Sequence, residues 1–348
     1  MKSNSKTKIF LNIGLLAVLI GVIIYVVDNS LSSIFAQLME TSWLVLGLVI
    51  LFGVIYQIIE GRSIKAIAAC FQKGFTMKDG FFTSCYVAFY RVVSFGTGTL
   101  LSEIYFYKKK GLSVSKGIGV TALHMIMYKV AVIFWAVLGL IIQFSSFYEH
   151  SPRMIPFILA GVILTFAIIF SLLILSSSIN LQVLLTSWAH KHLKRKKLRD
   201  WADKCNIQIY SLRETVQTIT KDRSAWLRVL CWNIAKLPCW YVIPYIVLLE
   251  NHPTVDFLLV FSFTSFAVIL SGVFPTPAGI GPFEFVYLLL FKPLVGTVDA
   301  VASLLLYRFA SFVLPFLIGF VFVLIEKRKE IKSELHAVRR EKEETLEE

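Results

Sequence analysis

Residues 80–107 read GFFTSCYVAFYRVVSFGTGTLLSEIYFY, and whether this stretch crosses a membrane or turns back inside it decides the fold. It is long and apolar enough for one crossing, which needs about 20 residues. A single crossing would place Lys108, Lys109, Lys110 and Lys116 outside. It would also export the most basic segment of the chain, which holds Lys191, Lys194, Arg195, Lys196, Lys197 and Arg199. Both outcomes break the positive-inside bias. The middle of the stretch, Ser94 to Thr99, reads SFGTGT, poor material for a continuous helix and good material for a turn. The expected element is a re-entrant helical hairpin that enters and leaves from the cytoplasmic side, as is tolerated where protein or water satisfies the broken backbone.

The composition supports membrane placement. Of 348 residues, 57% are hydrophobic and 16% charged, and the mean hydropathy is +0.72; soluble domains have about a quarter of their residues charged. An ordinary soluble enzyme is excluded. The formal net charge of +13, from 35 Lys and Arg against 22 Asp and Glu, reads as a topological marker of cytoplasmic loops rather than a nucleic-acid surface. Five cysteines, Cys70, Cys85, Cys205, Cys231 and Cys239, form no CxxC pair, so neither a disulfide framework nor a zinc site is expected. No other cofactor is indicated.

Working outward, the basic N-terminus MKSNSKTK precedes a first apolar run, Ile9 to Val27, that reads as a retained span. Further spans are expected near 43–59, 117–143, 154–175, 226–249, 256–273, 280–292 and 299–325, the one near 280–292 being short, with half of a broken element as its alternative reading. That gives an all-α polytopic bundle of about eight transmembrane helices, with broken elements near 80–107 and 274–284 and both termini cytoplasmic. The membrane domain covers 1–325, including a cytoplasmic segment at 176–225, and a charged tail covers 326–348. Within that segment Cys205, Ile209, Leu212, Val216 and Ile219 recur at three- and four-residue steps, an amphipathic helix lying on the membrane or against the bundle.

Ionisable residues at membrane depth are the informative ones: Arg91, Glu103, His124, Lys129, Lys236, Glu284 and Arg308. Each unpaired charge at the bilayer centre costs about 2.5 to 3.5 kcal/mol, so they pair or line a wet cavity. Glu284 with Arg308 is one candidate pair. Four cations, Arg91, Lys129, Lys236 and Arg308, face two carboxylates, Glu103 and Glu284. The positive excess is stable if the cavity accepts an anion, and the abundant anion of a membrane is a lipid phosphate. His124, beside Met125 and Met127, reads as a hydrogen-bonded core residue.

The second broken segment, Phe274 to Glu284, reads FPTPAGIGPFE. Pro275, Pro277 and Pro282 lack amide protons, and Gly279 and Gly281 permit left-handed backbone, so no continuous helix passes. A half-helix starting near Pro282 would turn its amides and positive dipole end inward, an expected anion site. Two broken elements, one in each half, fit a transporter with a midplane site.

PTPAGIGPFE, followed by LLYRFASFVLPFLIGF with Arg308 and Pro315, resembles the signature of the lysylphosphatidylglycerol synthase transmembrane family, the flippase half of the bacterial multiple peptide resistance factor and its stand-alone relatives. Trp43, Arg62 and the glycine-bearing segment ending in Glu103 agree, and the resemblance runs over about residues 9 to 325. It implies a bacterial plasma-membrane lipid translocase. The cargo would be an anionic or aminoacylated phospholipid such as lysyl-phosphatidylglycerol, and the role resistance to cationic antimicrobial peptides. The chain differs in reading SFGTGTLLSE where members commonly carry proline and asparagine, and Pro277, Ala278, Gly279 where many have PGG. The soluble lysine-transferring domain of two-part members has no counterpart here, so lysyltransferase activity, the reading suggested by the family name, is not expected of this chain alone.

The expected partner is a membrane phospholipid, with a separate lipid-modifying synthase or glycosyltransferase, or a second copy in a homo-oligomer, as further candidates. A carrier or accessory subunit for a polyprenyl-linked sugar would need the same cationic cavity and stays open. A lipid-modifying enzyme is the third class. No catalytic residue is assigned, because the sequence offers no nucleophile and base pair, metal spacing or nucleotide loop.

Overall fold

The computed structural model describes residues 39–94, 98–150, 155–177, 179–193, 196–273 and 281–347. The expected span Ile9 to Val27, the Phe95–Thr97 part of the first turn, and Pro275, Pro277 and Gly279 lie outside the described residues.

The described residues form an all-α membrane bundle. In order come α1 (Trp43–Ala68), α2 (Met77–Val93), α3 (Thr99–Lys109), α4 (Val114–Ile142), α5 (Phe144–His150), α6 (Ile155–Ser177), α7 (Ile179–His192), α8 (Lys196–Thr220), α9 (Arg223–Tyr241), α10 (Ile243–Leu248), α11 (Phe257–Ser271) and α12 (Pro282–Arg308). A π turn, Phe309–Val313, then leads into α13 (Leu314–Glu347). Among the described residues four helical stretches are long and apolar enough to cross a membrane: Trp43–Ala68, Val114–Ile142, Ile155–Ile174 and the run Pro282–Ser333.

The first broken stretch is a hairpin. α2 has 17 residues and α3 has 11, rises of about 25 and 16 Å against roughly 30 Å of hydrocarbon. Neither crosses alone. Asp79 in the first turn of α2 meets Lys110, just past α3, at 2.7 Å, so the chain leaves where it entered. A capping box between Thr76 and Asp79 fixes the start of α2. Gly80 lies directly on the backbone of Gly61 in α1, where a Cβ would collide, and Lys109 meets Glu326 of α13 at 2.6 Å. The hairpin mouth, the C-terminal part of α1 and this part of α13 therefore share one end of the bundle.

The second broken region is a hairpin of opposite sense. Its two arms, expected as separate crossings near 256–273 and 280–292, are too short for that. α11 has 15 residues, about 22 Å, and Phe263 meets Phe291 edge to face at 5.7 Å, which fits a turn between the arms. The second arm ends at Gly296, whose φ of 80° is open to glycine and strained for other residues. There the chain reverses again. Tyr287 donates to Ser303 at 3.0 Å, Phe283 stacks on Tyr307 at 5.0 Å, and Arg308 holds Glu284 at 2.6 Å, an antiparallel register centred on Gly296. At the mouth Asp256 accepts from Gln143, next to the far end of α4, at 3.4 Å, and Asp299 is held by Asn251 and His252. α4 starts beside the mouth of the first hairpin and ends beside that of the second, so the two hairpins enter from opposite ends of the bundle.

Two boundaries differ from expectation. α1 runs past Ile59 to Ala68, its helix continuing through Glu60, which is paired with Lys236 inside the bundle, and through the basic Arg62 and Lys65. The span near 226–249 is broken around Val242, with Pro238 inside α9 and Pro244 opening α10. The amphipathic segment lies against the bundle: α8 buries Ser211, Leu212, Thr215 and Ile219 and packs on α4 at Gly119. α2 is fastened to α13 by stacks of Phe89 on Phe316 and Phe82 on Phe322.

Candidate functional site

A cavity of 430 Å³ opens between α1, α2, α3, α4 and the π turn, next to the tip of the first hairpin. It fits a headgroup rather than a whole lipid. A more open hollow of 570 Å³ is lined by one face of α9 alone, Arg223 to Ala235, and gathers no groups from a second helix.

One wall of the cavity rests on a ladder between α1 and α9. Asn233 donates to Ser63 at 2.7 Å, Lys236 donates to Glu60, and Tyr56 stacks on Trp240 with centroids 3.4 Å apart. The spacing 56, 60, 63 against 240, 236, 233 is what two antiparallel helical faces present. Lys236 is wholly buried. Its ammonium also lies 5.1 Å from the Tyr128 ring, a cation–π contact. Tyr56, Glu60 and Trp240 show at the cavity surface while Lys236 sits behind them.

Arg91 of α2, Glu103 of α3 and Lys129 of α4 all line the cavity. Glu103 is buried and accepts a hydrogen bond from Tyr107 at 2.9 Å. Lys129 donates to the Gly272 carbonyl at 3.1 Å, at the C-terminal, electronegative end of α11. That bond ties the cavity to the second hairpin close to its turn. Among the described residues neither Arg91 nor Lys129 has a carboxylate partner. His124 places Nε2 3.3 Å from Glu60 and Nδ1 3.9 Å from Glu103.

The expected site residues therefore divide. Arg91, Lys129 and Glu103 share one cavity; Lys236 backs its wall; Glu284 and Arg308 form a separate pair, with Phe283 4.5 Å from the Arg308 guanidinium. Gly281 and Pro282 start α12 as expected, with φ of 103° at Gly281. The anion this helix end meets is the chain's own: Glu284 accepts from the Gly281 amide at 2.7 Å, a carboxylate reaching back to the first free donor. Glu60 was missed by the sequence reading. Its signal was the spacing Tyr56, Gln57, Glu60, Ile64, one helical face continuing beyond Ile59.

The fold and this cavity define a multi-pass α-helical membrane protein with charged groups gathered at membrane depth. The chain belongs to the lysylphosphatidylglycerol synthase TM region family, whose model matches residues 9–319. No curated protein matches it.

Proposed function

We propose that the chain is a lipid translocase of the bacterial plasma membrane, acting on an anionic or aminoacylated phospholipid. The observation that supports this best is the pair of cations, Arg91 and Lys129, on walls of one cavity where the first hairpin packs against the long helices α1 and α4. An unpaired charge at this depth is costly, and a phosphodiester between the two would relieve both while the acyl chains stay in the bilayer. Family membership favours lysyl-phosphatidylglycerol, whose amines would meet Glu103. Outward movement of that lipid would lower surface negative charge and resist cationic peptides. Basic residues crowd the end of the bundle holding Arg62, Lys65 and Lys108 to Lys110, which supports a cytoplasmic placement of that end by the positive-inside bias. The test is reconstitution into liposomes with leaflet-specific labels on phosphatidylglycerol, lysyl-phosphatidylglycerol and polyprenyl phosphate. Faster flip-flop of a phospholipid is expected. A response to polyprenyl phosphate alone would shift the cargo to a glycan carrier, and no acceleration across the panel would remove the reading.

A further inference from the structure

Four ionisable side chains from four helices meet at one wall of the cavity: Glu60 of α1, Glu103 of α3 and His124 of α4 line it, and Lys236 of α9 lies behind them. A transporter needs a phosphate site, and Arg91 with Lys129 suffices for that. Nothing in headgroup binding calls for a histidine set between two carboxylates. Its Nε2 is shut off from solvent and makes no hydrogen bond of good geometry, although Glu60 lies 3.3 Å from it and Glu103 lies 3.9 Å from Nδ1.

A neutral imidazole carries one N–H and one lone pair. Whichever tautomer forms, the nitrogen left without a proton lies no more than 3.9 Å from a carboxylate, whereas the imidazolium places a positive charge between both. The charge balance points the same way. Glu60 and Glu103 ionised, with Lys236 charged, leave the buried group at minus one, and one added proton, on His124 or Glu103, makes it neutral. A buried net charge is expensive unless compensated.

We infer that the His124 cluster is a proton-binding site whose occupancy is coupled to headgroup binding in the adjoining cavity. This rests on the translocase reading. The charged and titratable groups around His124 are Glu60 and Tyr56 of α1, Arg91 of α2, Glu103 and Tyr107 of α3, Lys236 of α9, and Tyr128 and Lys129 on its own helix. With the cavity empty, Arg91 and Lys129 repel an added proton and their field compensates the deprotonated cluster. A lipid phosphodiester between them, with one negative charge against their two positive ones, weakens that field and so favours proton uptake by the cluster. Linkage makes this reciprocal: protonation strengthens headgroup binding by the same factor. The proton and the phosphate load together.

The experiment is calorimetric binding of short-chain phosphatidylglycerol to the purified full chain in detergent, in buffers of different ionisation enthalpy, between about pH 5 and 8, where an imidazole changes charge. Proton uptake on binding is expected, with affinity rising by up to about tenfold per unit fall in pH, the limit for one linked proton. His124→Gln and, separately, Glu103→Gln, which mimics the protonated acid and can keep the Tyr107 hydrogen bond, should each flatten that slope. The wild-type measurement stands even if a variant fails to fold. Binding with no proton exchange at any pH would overturn the proton site and leave the translocase reading intact. No binding at all would overturn both.

Discussion

At the scale of single residues, the account rests on which charges are satisfied by the protein and which are not. Lys236 and Glu60 satisfy each other inside the bundle. Removing one partner of such a pair typically costs about 3–5 kcal/mol, because a bare charge stays behind, whereas replacing both is far milder. Glu60→Gln and Lys236→Met should therefore each lower unfolding stability in detergent, and the double variant should lose much less than the two losses added. Simple additivity would show that the groups do not act as a pair. Glu284 and Arg308 make the second test. If the pair serves the translocation path beside the second hairpin, Glu284→Gln and Arg308→Ala should still insert but translocate more slowly; an unchanged rate with either would make them bystanders. Lys236 was legible in the sequence as a charge at membrane depth, but its partner was not. Glu60 follows an apolar run and precedes Arg62, so in one dimension it looks like the start of a loop. Only the opposing face of α9, more than 170 positions away in the chain, turns it into a buried residue. His124 was visible as an ionisable residue at membrane depth but read as a core histidine, since the two carboxylates beside it come from α1 and α3.

At the scale of elements, the two hairpins are the defining feature. The first was readable because charge and composition agreed: basic residues on both flanks of 80–107 and a turn-forming centre at SFGTGT. The second was readable only as a break at FPTPAGIGPFE. Its flanks are almost uniformly apolar, so the sequence could not distinguish two short crossings from two arms that turn back. Helix length and the reversal at Gly296 decide it. The arrangement makes a prediction about access. In a cysteine-free background, single cysteines at Lys78 and Lys110 should react with a membrane-impermeant maleimide from one side. Cysteines at Asn251 and Val298 should react from the other. Labelling of all four from one side would contradict the opposed hairpins. The end of α12 illustrates a different limit. A proline–glycine break before a half-helix suggests free amides for a ligand, but Glu284, two residues on from Pro282, reaches back and takes the first of them.

At the scale of the whole molecule, two hairpins enter from opposite ends, and a cavity lies where the first packs against the long helices α1 and α4. In the proposed translocation a lipid would keep its acyl chains in the bilayer while its headgroup moved through protein, meeting Arg91 and Lys129, which line the cavity. Charged hydrogen bonds of this kind contribute about 1.5–3 kcal/mol each, so losing both should slow translocation by about a hundredfold or more, each 1.4 kcal/mol being a factor of ten. The most direct measurement is the rate of phospholipid flip-flop in liposomes containing the wild-type chain or the Arg91→Gln, Lys129→Gln double variant, matched for inserted protein. The account predicts fast movement with the first and a rate near that of protein-free liposomes with the second. Equal rates for the two proteins would contradict it.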